Sequence, residues 1–183
     1  MKVRHLILML LKASGGNISS KTKVQKEMYF LSLLMNKELG FKAHYYGPYS
    51  PAVEEGLDEL IGAGFVSMRR ETFNIVNRGF EIQRYDFSIT DAGEDLAGQL
   101  IRENADEYGK TEELVKKLKE MSNPDYLNLS IAAKTYFILK KENSPMSTEE
   151  IIKKAKNFDW NIGENDIDVA VKILQKLALV NIK

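Results

Sequence analysis

There is no cysteine in this 183-residue chain, which excludes a disulfide framework and a thiolate metal site. Histidine is scarce: His5 and His44 leave little for a zinc site or a histidine-based triad. Long apolar runs are missing as well. Near the start, Leu6 to Leu11 is closed by Lys12 and is short for a secretory h-region, so a helix docked in a core is expected. No stretch approaches a membrane span, and a cytoplasmic protein is implied. Net charge is zero, which does not describe a nonspecific polyanion binder.

What is present is ordinary for a globular protein: 44% apolar and 28% charged residues, in a length that suits one large domain or two small ones. The charge is unevenly spread. Residues 1–50 carry eight Lys/Arg against two acids, residues 51–110 six against thirteen, and the remainder twelve against eleven. Such asymmetry can mark a face that meets a partner.

Hydrophobic spacing predicts a first helix from Val3 to Ala13, stopped by Gly15-Gly16. A second begins near Lys21 or Thr22 with Ser19 or Ser20 as cap, and Asn36 to Gly40 closes it. Ser50 caps a third helix with Pro51 at its first position, where the missing N–H costs nothing. Its stripe is Val53, Leu57, Leu60 and Ile61. Phe65 to Glu71 and Gly79 to Ile89 read as strands around an Asn77-Arg78-Gly79 turn. Thr90 or Asp91 starts another helix through Leu96, Leu100 and Ile101.

After the polar stretch Glu103 to Thr111 the chain reads as purely helical. Helices are expected from Thr111 to Met121, from Leu127 to Lys141, and from the capping box Ser147-Thr148-Glu149-Glu150 to about Phe158. A last one begins at Asn161-Ile162-Gly163-Glu164. Leu57 to Val66 parallels Val171 to Val180, each ending a third helix and tipping into an extended segment. The expected fold is therefore mainly α with a small β-wing (α+β). A winged helix-turn-helix would occupy residues 1–103, and a helical, helix-turn-helix-like unit residues 104–183.

Tyr45, Tyr46, Gly47, Pro48, Tyr49 and Pro51 form a stiff aromatic loop suited to a protein partner, since tyrosine is favoured at binding hot spots. The same loop could instead pack beneath the domain and set the entry angle of the third helix. Glu54, Glu55 and Asp58 follow on that helix, where a duplex-reading protein would present its recognition residues. Acids there oppose phosphate, so a protein partner is favoured over nucleic acid, although acids also suit a helix N-terminus. DNA binding, as the alternative, would use Lys21, Lys23 and Lys26 with Arg69, Arg70, Arg78 and Arg84, as phosphate contacts without sequence information. Scattered basic residues are equally a solvated surface.

The helix Lys23-Val24-Gln25-Lys26 with Tyr29-Phe30, followed by Tyr46-Gly47-Pro48 and Pro51 ahead of an acidic helix, resembles the Panacea domain, which includes SocA-like antitoxins. The resemblance covers roughly residues 1–100. It implies a protein that binds and neutralises an unrelated toxin, or an adaptor presenting one to a protease. A basic toxin would suit the acidic helix. Glu27 stands where that family has an apolar residue, and the C-terminal half lies outside the pattern.

Enzyme signals fail. Gly109-Lys110-Thr111 lacks a glycine at position 104 and a preceding strand. Ser20 to Lys23 fits Ser-x-x-Lys without its partner motifs, and His44 has no convergent second group. Trp160 reads as a plug between two C-terminal helices. No catalytic residue, metal or cofactor is expected, and either half could supply a dimer interface.

Overall fold

The structure, a computed structural model, describes residues 1–72 and 83–180. It is mainly helical with a small three-stranded antiparallel sheet. The order is α1 (Val3–Ala13), β1 (Asn17–Ser19), α2 (Lys21–Leu34), α3 (Pro51–Gly62), β2 (Val66–Thr72), β3 (Gln83–Ile89) and α4 (Asp91–Glu103). Then come α5 (Ala105–Glu120), α6 (Tyr126–Glu142), α7 (Thr148–Ala155), a 3-10 turn (Lys156–Phe158) and α8 (Glu164–Lys176). Among the described residues no helix is long and apolar enough to cross a membrane.

All six residues from Leu6 to Leu11 are buried. A helix apolar on every side must be surrounded, and α1 packs against α2, α3, α4, α5 and the sheet. The sheet order is β1-β3-β2, with Ile18 opposite Phe87 and Met68 on the other flank of Phe87. Local chemistry sets the helix starts. Ser20 accepts from the Thr22 N–H, Ser50 from Val53 and Thr90 from Gly93, each satisfying a donor that the first turn leaves free. Ser147 and Glu150 exchange both bonds of a capping box.

Three expectations are corrected. First, α5 starts at Ala105 rather than Thr111, because Asp106 and Glu107 suit a first turn and Thr111 bonds back to the Glu107 carbonyl (2.8 Å) inside the helix. A single residue, Asn104, separates α4 from α5. Second, α8 begins at Glu164 after Gly163, whose N–H donates to Asp166 (2.9 Å), so the helix does not start as early as Asn161. Third, β1 was not anticipated. The turn at Asn77-Arg78-Gly79 lies outside the described residues.

One buried cluster joins α1 to α5, the sheet, α6 and α8. A second gathers Ile138, Ile151, Ala155, Trp160, Ile162 and Ile167. Both draw on α6: Leu129, Ala132 and Ala133 serve the first and Ile138 the second.

Candidate functional site: the loop between α2 and α3

Residues 35–50 are held from below by α2. Gln25 forms a two-way amide pair with Ser50, its Nε2 donating to the Ser50 carbonyl and its Oε1 accepting from the Ser50 N–H, both 3.0 Å. Lys26 Nζ donates to the Pro48 carbonyl at 2.8 Å. The loop closes on itself through reciprocal backbone bonds between Lys42 and Tyr49, both 2.9 Å. Gln25 and Lys26 are neighbours on α2, and Pro48 and Ser50 alternate along the loop, so each side chain meets its own backbone group. The Lys-x-Gln-Lys helix and the Gly-Pro loop are thus two halves of one clamp.

Gly47 sits at φ +97°, and a Cβ there would stand 3.0 Å from Lys134 Cγ on α6 and 3.4 Å from Lys26 Cε. Only glycine meets both demands at low cost. The loop is also held from the far end of the chain: Trp160 Nε1 donates to the His44 carbonyl at 2.7 Å. Trp160 itself is buried, stacked on Phe158 at 4.7 Å with Phe137 edge-on at 5.9 Å. Replacing Trp160 with phenylalanine keeps the ring packing and removes the N–H. We expect a loss of about 1–2 kcal/mol, read by thermal melting, with amide exchange accelerated at residues 42–49.

Loop side chains divide into two groups. Gly47 and Pro48 are buried and cannot meet a partner as expected, because α2 and α6 already cover them. Tyr45 is 59% exposed, with Tyr46 edge-on to it at 4.9 Å. Tyr49 is half-buried, its ring 5.0 Å from His44, and its hydroxyl donates to Glu54. That bond pushes Tyr49 up to about 12 and, with Lys21 assisting, holds Glu54 below the usual carboxylate range. Pro51 is exposed at the first position of α3, and Glu55 and Asp58 are exposed further along it.

The basic residues considered for nucleic acid are mostly engaged by the protein's own acids. Lys26 is 2% exposed, so its expected role as a phosphate contact is corrected. Burial, with the Lys134 charge nearby, pulls its pKa down to about 7. Lys21 pairs with Glu54 at 3.4 Å, and Lys23 with Glu27 at 3.8 Å and the Asn123 side chain at 3.0 Å. Arg69 and Arg84 share Glu71, and Arg84 also reaches Asp86. Arg70 is exposed on β2. Arg78 lies outside the described residues.

A residue that sequence reasoning noticed but did not interpret is Glu27. It is buried and lines a cavity of about 150 Å³ with Asn17, Lys23, Lys119 and Asn123. Its Oε2 has no hydrogen-bond partner. Burial raises its pKa to about 7 against the pull of Lys23.

No protein-family model matches the chain. Over 142 residues, 76% of its length, the chain is 26% identical to a protein named translation initiation factor IF-2, from Rickettsia conorii (strain ATCC VR-613 / Malish 7). The likeness is distant and partial. The matched stretch is 17% of that factor, so the chain spans under a fifth of the relative's length.

Proposed function

We propose that the chain is a non-enzymatic regulatory protein, antitoxin- or adaptor-like, that binds a basic protein partner through the exposed acids of α3 and the Tyr45–Tyr46 corner. The order helix–strand–helix–helix–strand–strand, with β1 completing the sheet beside β3, supports reading the N-terminal part as a winged helix-turn-helix. The grouping of α6, α7 and α8 supports a second unit of related topology. The clamp between Gln25, Lys26 and the loop gives the Panacea-like motif a physical purpose, since it fixes where the aromatic corner and the start of α3 lie.

The observation that carries the partner's chemistry is the outward face of α3. Glu55 and Asp58 are exposed there, while Lys21 and Lys23 are paired with acids and Lys26 is buried. In a groove-reading pose these carboxylates would approach phosphate, a like-charge contact without compensation. Against a basic polypeptide the same charges steer encounter and fix register. Tyr45 supplies a large exposed amphipathic side chain next in sequence to His44, whose ring meets Tyr49, the hydroxyl donor to Glu54.

The test is calorimetric titration of the purified chain with the protein encoded by the adjacent reading frame. Reversal of both exposed acids (Glu55→Lys with Asp58→Lys) is expected to weaken binding on the order of 30-fold, about 2 kcal/mol, with Tyr45→Ala adding to the loss. Affinity unchanged in these variants would refute the surface. The DNA-binding alternative rests on the wing, where the Arg69 side chain is 77% exposed and Arg70 lies open. It predicts a low-salt mobility shift that fades steeply with added salt and on Arg70→Ala.

A further inference from the structure

A hollow of about 490 Å³ lies between the C-terminal end of α2, residues 36–41 and α6, and none of its lining residues belongs to α3. We propose that it is a binding site for a small planar aromatic anion, independent of any protein partner on α3. Its volume falls in the range of small-molecule pockets. Tyr29, Phe41, Tyr136 and Phe137 line it, and Phe41 already stands edge-on to Tyr29 at 5.1 Å. Aromatic walls of this kind favour a flat ring in offset or edge-on contact.

The rim carries the charge preference. Lys37, Lys140 and Lys141 line the cavity against a single carboxylate, Glu38. None of the three ammonium groups is tightly held. Lys37 reaches Glu107 at 3.8 Å, Lys140 reaches Glu38 at 3.9 Å, and Lys141 lies over the Phe158 ring at 4.8 Å. Three ammonium groups stand against one carboxylate among the lining residues, and even with Lys37 drawn toward Glu107 the rim stays net positive, which favours a carboxylate, sulfonate or phosphate on the ligand. At the inner wall the Tyr29 hydroxyl is buried and has no hydrogen-bond partner. A protein keeps such a donor only at a cost, and a ligand acceptor drawn against the ring would relieve it. A neutral aromatic would use the walls but not the rim, and is disfavoured for that reason.

The test is a titration of the full chain with 1-naphthoate, followed by amide chemical shifts, with 1-naphthamide as the uncharged match. Saturable binding with a dissociation constant of roughly 1 mM or tighter is expected for a ligand of this size, with the shifts confined to residues 29–41 and 136–141. The amide should bind about fivefold more weakly, and Lys140→Glu with Lys141→Glu should weaken naphthoate by a similar factor. Leu33→Trp, which fills the hollow, should abolish binding. Should that variant fail to melt like the parent, the lysine reversal decides alone. No saturation, equal affinity for the amide, shifts elsewhere, or indifference to lysine reversal would each overturn the proposal.

Discussion

Replacing Glu27 with glutamine is expected to make the protein more stable at pH 8 and to leave it nearly unchanged at pH 4.5. The carboxyl is buried without a partner for Oε2, and its pKa rises from 4.5 to about 7. Below pH 4.5 both folded and unfolded chains hold the proton, so the group carries no penalty. Between pH 4.5 and 7 the unfolded chain releases it first, and stability falls as pH rises. Above pH 7 the loss is complete, on the order of 3 kcal/mol. Glutamine cannot ionise, so urea midpoints of Glu27→Gln should lose this slope, and the two proteins should diverge only above pH 5. Equal pH profiles would show that the carboxylate is solvated. The Panacea resemblance places an apolar residue at this position, and Glu27→Leu should likewise flatten the profile.

Gly93→Ala should lower the melting temperature by roughly 10 °C. Intrinsic propensity points the other way, since alanine in a helix is favoured over glycine by about 1 kcal/mol. The contact decides. A Cβ at Gly93 would stand 2.1 Å from the Phe65 carbonyl oxygen and 2.8 Å from Ile89 Cγ1. The oxygen is backbone, and it already accepts from the Thr90 N–H at 3.1 Å, so α4 must withdraw from the α3–β2 junction. Overpacking of this kind costs about 3 kcal/mol, and each kcal/mol moves the midpoint of a chain this long by roughly 2–4 °C. Gly98, on the same helix, meets only the end of the Arg102 side chain at 3.8 Å. Gly98→Ala should therefore stabilise slightly. If both alanines acted alike, the close approach at Gly93 would be disproved.

The contrast between these two glycines illustrates what the sequence could and could not convey. Caps were legible because they are local: Ser20, Ser50, Thr90 and Ser147 lie within three residues of the N–H groups they accept from. The run Leu6 to Leu11 announced a buried helix for the same reason. β1 was missed because Asn17-Ile18-Ser19 is too short to display a period of two, and only its pairing with β3 makes it a strand. The early turns of α5 were missed because their polarity outweighed the helix-favouring acids at 106 and 107. In the site, Gln25, Lys26, Gly47 and Pro48 were marked by their motif, yet whether they face a partner or one another depended on depth, which spacing does not encode. Trp160 gave no signal of its bond to His44, because the two lie 116 residues apart.

That separation has a consequence for biosynthesis. On a ribosome His44 is translated 116 residues before Trp160, so the indole that seats this end of the loop arrives well after the α2–α3 segment. A nascent chain therefore carries an unseated aromatic corner until Trp160 has been made, and the loop reaches its final packing only after α6 and α7 have been translated.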